Sequence, residues 1–303
     1  MKKVFLFIVL INISCEDFSL LGKDEGNVFF SKNIISSPVY NDNLRIATFN
    51  MKLGFCQNCD PFSGDLGGDH KQLDRIVDMI NQLNIDVVAL QEVGYEFDTS
   101  IVENQIKYIA ERTNMNYSYG MGRALETGGN LFLRGFIGNA ILAKYEILEV
   151  ENPVLRYIDF YNQNHCLKVK LKLSESKEIT ILNTHLESGS TKDEKTIQIK
   201  ELLKQTEDLT STPTIITGDF NISYSPNNLF LSLFNDNFSN TLETIPYQEQ
   251  SLILNSGTFI RGSTIDYIYT SKNDFTIESA FLAPEPYRNI SDHFMYISNV
   301  VLH

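Results

Sequence analysis

Positive charge is scarce in this chain. Its 25 lysines and arginines stand against 38 aspartates and glutamates, a formal net charge of −13. That balance excludes a broad basic surface for nonspecific grip on nucleic acid, which is built from lysine and arginine against phosphate. It leaves a phosphodiester substrate open, because a bound divalent cation supplies local positive charge and acidic residues are what hold it. Cysteine is scarce too, with four residues at Cys15, Cys56, Cys59 and Cys166. Cys56-Gln57-Asn58-Cys59 is a lone C-x-x-C, half of a structural zinc site with no second pair to complete it. No thioredoxin-like strand-to-helix context surrounds it, which argues against a redox centre. In an exported protein the pair reads as a short loop disulfide, and Cys166, inside an apolar run, as a buried thiol. Low-complexity tracts and internal repeats are absent. At 43% hydrophobic and 21% charged over 303 residues, the composition is that of an ordinary globular protein.

The N-terminus departs from this. Met1-Lys2-Lys3 precedes residues 4–13, which are apolar apart from Asn12. A charged start and a short apolar core read as an export signal, too short for the roughly 20 apolar residues of a membrane span. Ile13-Ser14-Cys15 resembles the end of a bacterial lipoprotein signal, whose cleavage leaves an acylated cysteine. Asn12 and Ile13 depart from the Leu and small residue preferred there. Acylated Cys15 would tether the protein to a membrane surface; soluble secretion and a retained N-terminal anchor are the other readings. Residues 1–15 are thus expected to be signal, 16–42 a linker and poorly ordered lead-in, and 43–303 the catalytic domain.

Within that domain, residues 44–49 and the continuous apolar run 85–90 read as strands, the second covered on both faces. Leu73, Ile76, Val77, Ile80 and Leu83 keep helical spacing between them. A helix is expected near 99–112 and another over 194–209, with strands at 136–143, 166–173, 179–186, 213–217, 264–270, 275–282 and 293–301. The glycine-rich stretches 56–69 and 117–136 read as long loops rimming a site, the second carrying Arg123 and Arg134. Two packed sheets with outer helices, in one α/β domain, account for the pattern.

Several strands end on residues that carry chemistry. Glu92 follows a buried run, where a carboxylate is costly unless it reaches solvent or binds something; alone it reads equally as a strand-end ion pair or a helix cap. Asp219 and Asn221 follow residues 214–217 and share one strand face, fit to orient a water and a phosphoryl oxygen, or simply to close an Asx-turn. His185 closes another strand. Asp266 sits inside an apolar one and needs a partner, for which a histidine would serve. Asp292 and His293 are adjacent at a loop-to-strand junction and can act divergently. His70, His165 and His303 read as structural or solvated.

Taken in order, Asn50, Gln91-Glu92, His185, Asp219-x-Asn221, Asp266 and Asp292-His293 resemble the endonuclease/exonuclease/phosphatase superfamily, over residues 43–302. The resemblance implies the DNase I-like fold, a four-layered α/β sandwich of two packed, mostly antiparallel β-sheets flanked by helices. It implies Mg²⁺-dependent phosphodiester hydrolysis, with Mn²⁺ able to substitute. Glu92 would be a direct metal ligand, Asn50 would support metal or phosphate, and Asp292 would complete the metal environment. His293 would be the catalytic histidine oriented by Asp266, and His185 the second histidine. Asp219 and Asn221 would place the attacking water and the phosphate. Gln91 would touch substrate or support the residues that do, and Asn139 in Gly138-Asn139-Ala140-Ile141-Leu142 would face the cleft as a substrate contact. His165 stands where many relatives carry a basic residue. Such chemistry suits a hard cation that takes carboxylate oxygens, with a histidine held by a carboxylate for proton traffic near neutral pH.

The superfamily spans nucleases, DNA-end repair enzymes, sphingomyelinases and inositol-phosphate phosphatases. Asn183-Thr184-His185-Leu186-Glu187-Ser188 is similar to the version in enzymes acting on DNA 5′ ends and in exported hydrolases. Gly218-Asp219-Phe220-Asn221 continues as Ile222-Ser223, where inositol phosphatases have Tyr-Arg. The expectation is an exported nuclease, with a sphingomyelinase-like lipid headgroup phosphodiesterase as the alternative. A phosphatase, or a binding lipoprotein without catalysis, is the lesser reading, since every expected position is filled. No protein partner is expected.

Overall fold

The computed structural model describes residues 28–35, 41–58, 69–96, 102–126, 134–159, 162–189, 191–209 and 211–303. Five strands come first along the chain: β1 (Phe29–Lys32), β2 (Asn43–Asn50), β3 (Val87–Tyr95), β4 (Asn116–Glu126) and β5 (Arg134–Ala143). Then follow β6 (Glu146–Glu151), β7 (Val154–Asp159), β8 (Asn162–Lys172), β9 (Glu178–His185), β10 (Thr214–Asp219) and β11 (Phe238–Asn240). The last are β12 (Asp266–Ser271), β13 (Phe275–Leu282) and β14 (Tyr296–Leu302). The helices are α1 (His70–Gln82), α2 (Gln105–Thr113), α3 (Lys192–Lys204), α4 (Leu229–Ser232), α5 (Thr241–Thr244) and α6 (Tyr247–Ser256).

The strands form two mixed sheets that meet, among the described residues, where Arg123 of β4 pairs with Asn162 of β8. One runs β1-β4-β5-β3-β2-β14-β13; the other runs β11-β12-β10-β9-β8, with β6 and β7 both pairing along β8. The pairs β2–β3 and β9–β10 are parallel and the rest antiparallel. Strand alternation builds the layers. Ile46, Val87, Ala89 and Ile141 point inward against Val169, Ile181, Ile215 and Ile268 of the facing sheet. Their neighbours Ala47, Phe49, Val88 and Leu90 point outward, onto α1 and α2. Leu182 and Ile216 likewise face Ile199 and Leu202 of α3. The result is the expected four-layered sandwich.

Helix α1 forms because Leu73, Ile76, Val77 and Ile80 make one buried stripe, each side chain contributing about 1.5–3 kcal/mol. Asp69 caps it by accepting from the Gln72 N–H at 2.6 Å. Thr191 and Glu194 close α3 with a reciprocal capping box. No helix among the described residues is long and apolar enough to cross a membrane.

Two expectations need correction. The stretch 16–42 contains β1, paired antiparallel with β4, and Phe30 is buried in the core, so the packed fold reaches back to Phe29. The stretch 117–136 is no loop at its ends: β4 and β5 pair from Asn116↔Ala143 to Glu126↔Arg134, and residues 127–133 lie outside the described residues. Tyr117, Tyr119 and Met121 alternate onto the helix-covered face with Phe49 and Leu90 and are all buried, which is what makes β4 a strand. Cys56 is disulfide-bonded and Cys166 is a buried free thiol. Cys15 and Cys59 lie outside the described residues.

Candidate active site

Parallel pairing aligns the catalytic candidates at one end of the sandwich. In the second sheet, Asp219 at the end of β10 stands opposite His185 at the end of β9, and on its other side opposite Asp266, the first residue of β12. In the first sheet, Asn50 ends β2 beside Gln91 of β3. Between Leu90 and Val93 the register of β3 against β5 shifts, so that Gln91 and Glu92 together oppose Asn139. This is a β-bulge, a device that re-aims a side chain. Glu92 takes φ 52° there and leaves the strand alternation.

Asp219 is the hub. Its Oδ2 accepts from Asn50 Nδ2 at 3.2 Å and lies 3.5 Å from His185 Nε2 and 3.6 Å from His293 Nε2. The same Asn50 amide donates to Glu92 Oε1 at 3.0 Å. His293 Nδ1 faces Asp266 Oδ2 at 2.9 Å, and Asp266 is 1% exposed. The hydroxyl of Ser291 donates to the Asn50 carbonyl at 2.8 Å and lies 3.2 Å from Asp292 Oδ1, which ties Asp292 to the same cluster. The Asn221 N–H donates to Asp219 Oδ1 at 2.8 Å, an Asx-turn that pins the carboxylate, and the Asn221 amide donates to the Leu186 carbonyl at 2.9 Å. Asn221 adopts φ 50°, tolerable for asparagine.

Electrostatics separate the groups. Burial pulls His293 toward neutrality, but Asp266, Asp219 and Asp292 outweigh it and raise its pKa to about 10. His293 is therefore an imidazolium at neutral pH, with one N–H on Asp266 and the other turned toward Asp219. Burial, together with the Asp219 charge, raises Asp266, while His293 opposes that rise. The sign for stability follows: the His293 contribution is full below its ordinary value of 6.5 and is lost as pH rises through about 10. Thermal unfolding of wild type against His293→Asn should show a gap that persists through neutral pH and closes only on the alkaline side. A gap that closes near the ordinary histidine value would contradict the assignment.

Two expected substrate contacts are corrected. Gln91 is 0% exposed, and its amide donates to Asn183 Oδ1 at 2.7 Å and Thr48 Oγ1 at 3.1 Å. Asn139 is buried as well, its amide 3.4 Å from the carbonyls of His165 and Asn183. Both belong to a polar seam between the sheets, beneath the site, because alternation sends Gln91 inward where the bulge sends Glu92 out. Gln91→Met should cost about 1–3 kcal/mol in denaturant unfolding, by orphaning Asn183, and leave KM unchanged. A raised KM at unchanged stability would return Gln91 to the substrate. His165 is buried and its ring nitrogen meets the Asn152 carbonyl at 2.9 Å; burial lowers its pKa.

Two lysines enter the site without having been singled out in the sequence. Lys195 on α3 is buried and its ammonium meets the carbonyls of Glu187 and Phe220, bracing the turns that follow His185 and Asp219. Burial lowers its pKa to about 8, against the opposing pull of Asp219 and Glu187. Its signal was helical spacing from a capped start, which places it toward the strand ends. Lys52 lies 3.5 Å from Asp292 Oδ2, with both side chains about one-fifth exposed.

The sequence profile of the endonuclease/exonuclease/phosphatase family matches residues 47–293, from within β2 to His293. The chain belongs to this family. Among solved structures, an endonuclease/exonuclease/phosphatase from Beutenbergia cavernae superposes with TM-score 0.70 at 17% identity, covering 86% of this chain and 72% of that one. The human Nocturnin catalytic domain, solved with bound sulfate, gives 0.67 at 19% identity over 91% and 97%. A mannosyl-6-phosphatase from Bacteroides thetaiotaomicron gives 0.62 at 18% over 86% and 100%. At these identities the likeness is one of fold, and it is the DNase I-like sandwich. No curated protein matches in sequence.

Members of the endonuclease/exonuclease/phosphatase family are hydrolases and usually depend on a divalent metal. The donors here fit such an ion. Among the described residues the site offers carboxylates from Glu92, Asp219, Asp266 and Asp292 and no thiol, the hard oxygen set that suits Mg²⁺ or Mn²⁺. Ligand atoms of Asp219, Asp266 and His293 also lie within 4.8 Å of one another in a buried group, where an ion would have to displace the proton on His293.

Proposed function

We propose that the protein is an exported, Mg²⁺-dependent phosphodiester hydrolase acting on nucleic acid. The observation that carries this reading is the shared Asp219 carboxylate, within 3.6 Å of Asn50, His185 and His293 at once. Glu92 and Asp292, with Asn50 between them in the network, would hold the ion. The Asp219–Asp266–His293 group already spends its imidazole on Asp266 and is better suited to protons than to metal. Bound at Glu92 and Asp292, Mg²⁺ would offset the charge that builds on the phosphoryl oxygens.

The chain's own groups supply the rest. Asp219, pinned by the Asn221 N–H, aligns a water for attack on phosphorus and accepts its proton. His293 keeps a proton on Nε2 and presents it to a phosphoryl oxygen. His185, more exposed, sits where it can protonate the leaving oxygen. Ser223, exposed, stands where inositol phosphatases have arginine, so this position brings no cation for a second phosphate group. That supports a diester over a polyphosphorylated monoester. One structural relative is named a phosphatase, which makes the monoester the control.

The N-terminal segment supports export, and an acylated Cys15 would tether the enzyme at a membrane, which favours the lipid headgroup as second substrate class. Plasmid DNA, RNA, sphingomyelin, bis-p-nitrophenyl phosphate and p-nitrophenyl phosphate, each with Mg²⁺ or EDTA, separate these. Nucleic acid and the synthetic diester should be cleaved with Mg²⁺ and spared with EDTA. Cleavage of sphingomyelin alone, or of the monoester alone, would overturn the nuclease reading.

A further inference from the structure

We propose that Lys195 is a positioning residue for the reaction: its buried ammonium acts on the Asp219 carboxylate through the Phe220–Asn221 peptide. This rests on the reading of the site as a phosphodiester hydrolase and adds to it a residue outside the motifs. The Asn221 N–H donates to Asp219 Oδ1 at 2.8 Å. The carbonyl of that same peptide unit belongs to Phe220, and the Lys195 ammonium stands 3.4 Å from its oxygen. At that distance the contact is a charge acting on a dipole, longer than the usual hydrogen bond. Positive charge at the carbonyl end of a peptide makes the N–H at its other end a stronger donor, because polar groups in a low-dielectric interior polarise one another. The closer partner of the ammonium is the Glu187 carbonyl, in the turn after His185. Three residues further along α3, the Gln198 amide oxygen accepts from the Glu187 N–H at 3.0 Å. One helix therefore holds both turns, and the residues they follow, His185 and Asp219, are register partners on β9 and β10.

Local rules disfavour a lysine at this position. Lys195 directly follows the capping box of α3, where the helix N-terminus favours acids such as Asp193 and Glu194. It is 7% exposed, and a charge so placed is unfavourable unless its surroundings compensate. They compensate in part: Asp219 and Glu187 attract the ammonium, yet burial still lowers its pKa, to about 8. The group thus stays mostly charged at neutral pH without gaining from that charge. Replacing a buried charge by an apolar side chain of similar volume is often neutral or stabilising. Stability alone therefore does not account for the lysine. An apolar side chain could fill the space under α3, but it could not bring charge to the Phe220 carbonyl.

Steady-state kinetics of the full chain on bis-p-nitrophenyl phosphate with Mg²⁺, paired with thermal unfolding, test this on wild type, Lys195→Met, Lys195→Gln and Lys195→Arg. Lys195→Met should lower kcat about tenfold to a hundredfold, the usual effect of losing a group that orients a catalytic one. KM should stay within about twofold, and Tm should equal or exceed that of wild type. Lys195→Gln should lose kcat in the same way and serves if the methionine variant does not fold. Lys195→Arg keeps the charge and should recover most of kcat. Turnover within about twofold of wild type in a folded Met or Gln variant would overturn the proposal. So would a loss of kcat that only tracks a loss of Tm, with Lys195→Arg no better than Lys195→Met, since that would make Lys195 a support for the fold alone. Failure of the hydrolase reading would look different: wild type itself would show no Mg²⁺-dependent turnover.

Discussion

Asp219→Ala should lower kcat on bis-p-nitrophenyl phosphate by about a thousandfold or more and leave the protein folded. The loss is large because one carboxylate serves three partners. Without it the attacking water has no acceptor, His185 and His293 lose the oxygen they converge on, and Asn50 keeps only Glu92. The fold should stand because Asp219 is buried near a second carboxylate, Asp266, and the β10 ladder does not depend on its side chain. His293→Ala should cost a similar factor, by removing the proton donor and leaving Asp266 buried without its partner. Steady-state kinetics with circular dichroism read both. Turnover of either variant within a few-fold of wild type would remove its residue from the chemistry.

Gly218→Ala should act the other way round, on stability first. A Cβ on Gly218 would lie 1.9 Å from the Thr184 carbonyl oxygen of the adjacent parallel strand, and its φ of 142° is one that residues with a side chain rarely adopt. Backbone strain and overpacking each cost about 1–3 kcal/mol, so the variant should lose about 3–5 kcal/mol. Activity should fall with it, because the same strand pairing sets Asp219 against His185. Gly262→Ala is the control: its φ is 79°, nothing lies within 4 Å of the new Cβ, and only the local backbone cost of about 1 kcal/mol remains. Denaturant unfolding that finds Gly218→Ala and Gly262→Ala equal would contradict the close approach of β9 and β10.

The site was legible where a buried apolar run ends on a polar residue, as at Asn50, His185 and Asp219, because a strand covered on both faces has few other ways to end. Roles inside a strand were less legible. Gln91 and Glu92 are neighbours in sequence, and only the bulge opposite Asn139 decides that one enters the seam between the sheets and the other the site. Strand β4 was hidden by its glycines, which signal a loop in sequence. In the fold Gly120 lies under the Asn152 side chain, and the flanking tyrosines keep strand alternation. Strand β1 is four residues long and sits in a polar stretch, so its pairing with β4 is set by tertiary contact alone. Lys52 could not be found by periodicity, since it sits in a left-handed turn, at φ 49°.

Crystals grown with Mn²⁺ and measured for anomalous scattering test the convergence most directly. The expected result is an ion against the Glu92 carboxylate, in the pocket shared with Asp219, Asp292 and His293. An ion bound elsewhere with this pocket left empty, or Glu92 and Asp292 turned onto separate surfaces, would contradict it.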